Sequence, residues 1–413
     1  MKRTVIIGGG AAGFFAAIAC AEAARRNGVP REVVVLERGS EFLTKVRISG
    51  GGRCNVTHAC FEPRALAARY PRGGRALIGP FSRFQAADTV AWFESRGVKL
   101  KTEADGRMFP VSDDSATIID CLMREARAAG VMLRTRCAVE RVEVLDEGGF
   151  LLHLAEGGDG SELRCDRLLL ATGGCKGPAA GNLAALLGHT VEPPVPSLFT
   201  FNIEVPWLRE LSGLSVEPVE VSVPGTRLRE RGPLLATHWG ASGPAILRLS
   251  AWGARELHAL DYRFPLEIHW LPGQSREAIA QTLAERRTSE AGGLVVRSPL
   301  RPLPLRLWER LALAAGVTPE MRWAALPKAT LLTLAALLSK TTLPVTGKST
   351  NKAEFVTCGG VRLAEVDFKT MESRRVPGLH FAGEVLDFDG VTGGFNFQAA
   401  WTTGWLAGLA MAP

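Results

Sequence analysis

The chain has 413 residues, 46% of them hydrophobic and 22% charged, enough for two or three domains around a large core. Its net charge of +7 comes from arginines mixed among glutamates, with no Lys/Arg block, which argues against a basic nucleic-acid-binding tail. No apolar run reaches the ~18 residues of a membrane span, and the eight cysteines form no C-x-x-C and meet no zinc-spaced His pair. A soluble cytoplasmic protein without a metal site or a disulfide framework is therefore expected.

In chain order, the apolar strand Val5–Ile7 runs into Gly8-Gly9-Gly10-Ala11-Ala12-Gly13, which fits G-x-G-x-x-G, and then into an alanine-rich helix ending near Asn27. A second strand, Val33–Leu36, ends on Glu37. A tight turn needs Gly8, close approach of a pyrophosphate needs Gly10, and close helix–strand packing needs Gly13. The helix N-terminus offers N–H groups to phosphate. Glu37 stands where a carboxylate accepts the ribose hydroxyls of an adenosine. The motif predicts a Rossmann-like dinucleotide-binding fold of α/β class.

A second glycine run, Lys45 to Thr57, supplies Ser49, Gly51, Arg53, Cys54 and Asn55 as further donors or backbone near the ligand. Cys54 and Cys60 are separated by five residues, which misses the C-x4-C of flavin disulfide reductases, so Cys54 reads as a packing or flavin-contacting residue. Helices are predicted over 84–96 and 116–129, a strand over Val131–Arg134, and a β-meander over Val139–Leu145, Phe150–Leu154 and Glu162–Cys165. The buried strand after Asp166 ends in Ala171-Thr172-Gly173-Gly174. Prolines 193, 194 and 196 mark a boundary. Residues 197–270 read as β-rich and 275–340 as helical, within an insert spanning 197–349. In it, Thr237-His238-Trp239 places a histidine that is either a proton donor or a structural hydrogen bonder. From 350 the first pattern returns: a strand from Glu354 into Gly359-Gly360, a strand ending in Gly383-Glu384, then Asp387, Gly393-Gly394 and a terminal helix with Asn396 and Gln398. No second G-x-G-x-x-G stands between strand and helix: the Gly157–Gly160 run falls in a hairpin loop and Gly173–Gly177 lacks the spacing.

These blocks resemble a two-dinucleotide-binding-domain flavoprotein, and more narrowly the YhiN/BaiN-like FAD-dependent oxidoreductases. The strings that carry the resemblance are Ser-Gly-Gly-Gly-Arg-Cys-Asn-Val-Thr at 49–57, Thr-His-Trp-Gly-Ala-Ser-Gly-Pro-Ala at 237–245, Thr-Met-Glu-Ser-Arg at 370–374 and Gly-Gly-Phe-Asn-Phe-Gln at 393–398. One departure is Ala241, where the group often has Leu. The resemblance implies an FAD domain split into 1–196 and 350–413, interrupted by a β-barrel and helical insert. It would place on FAD the residues Gly8, Gly10, Ala12, Gly13, Glu37, Arg38, Ser49, Gly51, Arg53, Cys54, Asn55, Thr172, Gly173, Gly174, Gly383, Glu384, Asp387, Gly394, Asn396 and Gln398, with Val139 near the adenine. The activity implied is hydride transfer from NAD(P)H through flavin to an unsaturated or oxidised small molecule, with His238 as the acid. The alternatives are a flavin dehydrogenase or oxidase and, ranked last, an RNA-associated flavoprotein.

Overall fold

In the computed structural model the described residues are 2–155, 162–175, 178–349 and 356–413. The Gly157–Gly160 run, Gly177 and the start of the strand expected from Glu354 lie outside them. The chain divides into two compact units, one made of Met1–Ser197 with Asn351–Pro413 and the other of Leu198–Thr350.

The first unit is built on a seven-stranded sheet. Five neighbouring strands are parallel, in the order Leu379–Phe381, Arg167–Leu170, Lys2–Ile7, Arg31–Leu36 and Met132–Arg134. Two short antiparallel strands, Val366–Asp367 and Glu372–Ser373, extend it beyond Leu379–Phe381. Val33–Leu36, Val5–Ile7 and Leu168–Leu170 are buried without alternation, the pattern of a parallel sheet covered on both faces. From the strand at Lys2–Ile7 the chain first pairs on one side with Arg31–Leu36 and later on the other with Arg167–Leu170. The carboxyl end of Lys2–Ile7 is therefore a topological switch point, where α/β sheets hold ligands. The meander Val139–Val144, Phe150–Leu154 and Glu162–Cys165 is the crossover between the two sides.

The helix Ala11–Arg26 is buried along most of its length. Small residues explain how it can be covered away from the sheet as well. A Cβ on Gly404 of the terminal helix, Phe395–Met411, would lie 2.4 Å from the Ala12 carbonyl oxygen, and one on Gly408 2.4 Å from that of Ala16. The two helices thus meet backbone to backbone. The proline-rich boundary is itself a strand, Val191–Ser197, paired antiparallel with Val356–Val361 and carrying an irregularity between Glu192 and Val195. Prolines 193 and 194 sit at that break, where no ladder donor is required.

The second unit holds a seven-stranded antiparallel sheet in the order 341–345, 264–269, 215–222, 229–237, 240–242, 200–202, 347–349. The two ends of this order, 341–345 and 347–349, are one segment separated by Thr346 alone, which pairs with 264–269 on one side and with 200–202 on the other. The helices Arg276–Ser289, Leu305–Ala314 and Lys328–Ser339 form its other half, the first and last burying Ile279, Leu283, Leu331 and Leu334.

Candidate cofactor site

The glycine turn has the shape its spacing implies. Gly8 has φ +115°, and a Cβ there would lie 2.2 Å from the Ala171 carbonyl oxygen. A Cβ on Gly13 would lie 2.0 Å from the Gly8 carbonyl oxygen, so the helix can pack against the turn only with glycine there. Gly10 differs: a Cβ would meet no atom within 4 Å. Its lack of a side chain serves open space in front of the helix N-terminus, not packing. Gly10 caps the helix without a side-chain hydrogen bond and no acid stands in the first turn, which leaves the N-terminal N–H groups and the positive dipole end for an anion.

Glu37 follows the second strand. Its Oε2 accepts from the Gly9 N–H at 2.9 Å and its Oε1 from the Gly39 N–H at 2.7 Å. The carboxylate is thereby fixed, and each oxygen keeps lone-pair capacity for a ribose hydroxyl. Backbone bonds from Arg136 to Gly39 (2.8 Å) and from Cys137 to Glu37 (2.9 Å) bring the start of the meander alongside. A cavity there is lined by Gly8, Glu37, Arg38, Ala138, Val139 and Thr172. An open Gly10, a helix N-terminus, a held carboxylate and this apolar-walled cavity fit the adenosine diphosphate half of FAD.

The remaining expected residues divide. Gly50, Gly51 and Gly52 have φ of +59°, +69° and +85°, and space is open in front of Gly51 and Gly52, so the loop can present bare backbone. Ser49 donates to the Val46 carbonyl at 2.9 Å. Gly383 (φ +76°) donates to Thr403 Oγ1 at 2.9 Å, and a Cβ on it would come 2.9 Å from that of Ala12. Gly173 faces open space, whereas Gly174 backs onto Thr357. Asp387 donates its N–H to the Val361 carbonyl at 3.0 Å. In the amide orientation that satisfies its neighbours, Asn55 donates to the Thr57 carbonyl (3.1 Å) and accepts from the Gly394 N–H (3.0 Å).

Five more of the expected side chains are held within the protein. Gln398 is fully buried, its Oε1 accepting from Thr57 (2.6 Å) and Thr89 (2.9 Å) and its Nε2 donating to Thr402 (3.1 Å). Asn396 clamps both backbone groups of Gly390, at 2.8 and 2.9 Å, which shapes the loop ahead of the terminal helix. Arg53 pairs with Glu103 at 2.7 Å and lies over the Phe109 ring. Glu384 pairs with Lys45 at 2.5 Å and accepts from the Thr357 N–H at 2.7 Å. Cys54 is fully buried at φ +61°, and burial pushes its thiol up to about 12. It is a protonated packing thiol.

Two groups escaped the sequence reading. His58 stacks on Phe395, centroids 4.6 Å apart, with Nδ1 3.0 Å from the Gly393 carbonyl oxygen, and burial lowers its pKa. The Arg72 guanidinium forks onto both oxygens of Asp389, which also accepts from Ser197 at 2.7 Å. Partners more than 300 residues apart in sequence leave no local signal. His238 lies in the second unit, exposed at the tip of the hairpin joining Arg229–Thr237 to Gly240–Ser242, edge-on to Trp239 at 4.2 Å.

The family model described as the HI0933-like protein Rossmann domain matches residues 2–410. A protein of Escherichia coli K12 named ribosomal RNA dihydrouridine synthase is 34% identical over 412 residues, which cover 97% of this chain and 96% of that one. The 3-dehydro-bile acid delta(4,6)-reductase of Clostridium scindens is 29% identical over 420 residues, covering 100% and 99%. Among solved structures, the 3-ketosteroid-delta4-(5alpha)-dehydrogenase of Rhodococcus jostii RHA1 covers 100% of this chain and 97% of its own, at 15% identity and a TM-score of 0.51. That likeness is one of fold.

Proposed function

The chain belongs to the HI0933-like Rossmann-domain family of FAD-dependent oxidoreductases, and from that premise we propose that it is a reductase which saturates a carbon–carbon double bond conjugated to a carbonyl. The observation that carries this reading is what two relatives aligned over the whole chain have in common. One is named for making dihydrouridine and the other for reducing a keto bile acid. In uracil and in a 3-oxo steroid alkene alike, a carbonyl polarises the double bond, so that a hydride adds to the far carbon and a proton to the near one.

Bound FAD supplies the two-electron hydride chemistry, with a nicotinamide as the proposed donor. The chain's own residues do the rest. The N–H groups at Ala11–Gly13 hold the pyrophosphate. Glu37 accepts the ribose hydroxyls, and Ala138–Val139 wall the adenine. His238 is the proposed donor of the proton to carbon. Nicotinamide has no second glycine fingerprint to hold it, so it binds transiently in this reading.

For the substrate we favour a uracil base carried by RNA. The relative named for RNA is the more similar of the two, and the chain is basic, with a pI of about 9.1. The sequence reading ranked an RNA partner last among its alternatives. The test is anaerobic. NADPH or NADH should bleach the yellow holoprotein, and the colour should return on adding either a uridine-containing RNA or a 3-oxo-Δ4,6 steroid. A protein that bleaches but is reoxidised by neither is not an enone-type reductase. Replacing His238 with Gln should leave bleaching intact and slow reoxidation by about 100-fold; unchanged reoxidation would remove His238 from the mechanism.

A further inference from the structure

Counted along the chain, the positive charge is not evenly spread. Residues 275–349, the helical half of the second unit, hold 11 Lys/Arg against 5 Asp/Glu, a net +6 of the chain's +7. Residues 198–274, the sheet half, hold 7 against 8. The excess therefore belongs to one half of one unit, and the structure shows where in that half it gathers.

The helix Arg276–Ser289 ends beside the segment 290–302. Arg286 Nη1 donates to the carbonyls of Ser298 (2.8 Å) and Pro299 (3.4 Å), which ties the two together. Arg322 donates to the Gly292 carbonyl on the same segment, and the Val295 N–H bonds the Met321 carbonyl at 3.0 Å. Four exposed arginines, Arg287, Arg297, Arg301 and Arg322, lie on the segments that these bonds hold together. The acid within 287–302 is Glu290, and it faces Arg286 at 3.4 Å. Among the described residues, Arg287, Arg297 and Arg301 have no carboxylate partner, unlike Arg310 and Lys340, which pair with Glu210 and Glu267. Their charge is directed to solvent, and holding it there costs repulsion that a polyanion would relieve.

We propose that this arginine end is the RNA-docking surface of the enzyme, gripping the sugar–phosphate backbone of the RNA whose uracil is reduced. The inference rests on the RNA reading above. Guanidinium forks match phosphate oxygens and stay charged at any working pH. The large rings nearby, Trp308 and Trp323, are fully buried and cannot stack on bases. The surface thus positions RNA without reading its sequence, and base selection is left to the flavin site.

The test uses holoprotein and a fluorescein-labelled RNA hairpin with a uridine loop, followed by anisotropy across a salt series. The triple variant R287Q/R297Q/R301Q should bind at least about tenfold more weakly, and its slope of log K against log salt should be shallower by about 2 to 3. A control that removes the same charge from the sheet half, R209Q/R227Q/R263Q, should stay within about threefold of wild type. Flavin content and thermal unfolding report that both variants are folded. Equal loss in both variants, or none in the first, would overturn the docking surface while leaving RNA as substrate. A wild-type enzyme that reduces the steroid but neither binds nor reduces RNA would refute the RNA reading, and the docking surface with it.

Discussion

Two glycines of one motif make opposite demands. Gly10 borders open space and has an extended backbone, φ −93°, that alanine tolerates. Gly10→Ala should unfold within about 1 kcal/mol of wild type as apoprotein, yet bind FAD at least about tenfold more weakly, because the new methyl group occupies the phosphate's approach. Gly13→Ala would force a Cβ to 2.0 Å from a backbone oxygen and should cost the apoprotein itself about 3 kcal/mol. Denaturation of both apoproteins with a flavin titration separates the roles; equal apoprotein stabilities would contradict them. The close packing at Gly13 was readable from the sequence because the motif's spacing encodes backbone geometry. The partners of Gln398, Asn396 and Glu384 were not, since a polar residue near a cofactor motif looks the same whether it meets ligand or protein. His380 shows a further effect that sequence hides. It is 1% exposed, and burial lowers its pKa from 6.5 to about 4, with Glu372 opposing and Arg167 adding to the shift. Between those values the unfolded chain takes up a proton that the folded one resists. Stability therefore falls as pH drops from 6.5 to 4, by up to about 3 kcal/mol from this residue. His380→Gln should flatten that part of the stability–pH curve; a variant with the wild-type slope would rule the effect out.

At the scale of elements, the first helix is held between the sheet and the terminal helix, and the contact is set by Gly404 and Gly408. The sequence predicted both helices but not their meeting, because small residues in an alanine-rich helix read equally as propensity and as packing. The terminal helix runs to Met411. Gly404→Val would push a side chain into the Ala12 carbonyl, 2.4 Å from the Cβ position. It should destabilise the first unit by about 3 kcal/mol or more and displace the helix that presents its N-terminus to the cofactor. Thermal unfolding and retained flavin would both fall. A variant with wild-type melting and full flavin would show that the helices are not in backbone contact. The proline segment gives the complementary lesson. Prolines 193, 194 and 196 correctly excluded helix, but an irregular strand accommodates them, and only the pairing with Val356–Val361 reveals it.

At the scale of the molecule, the fold was legible wherever chemistry and backbone are tied by spacing: the glycine turn, Glu37, the buried strands and the return of the pattern near the C-terminus. The long-range charge pairs were not, since Arg72 and Asp389 are brought together only by the completed fold. The two units divide the chain into a Rossmann-type FAD-binding part and an insert of an antiparallel sheet with a basic helical half. Together with the relatives, this supports hydride reduction of a polarised double bond. The most direct measurement incubates the anaerobic holoprotein with NADPH and a uridine-containing RNA, digests the RNA and weighs the nucleosides. The account predicts a uridine that has gained two hydrogens, formed only with flavin present and in step with nicotinamide oxidation. Flavin that is reduced by NADPH while both the uridine and a 3-oxo-Δ4,6 steroid return unchanged would contradict it.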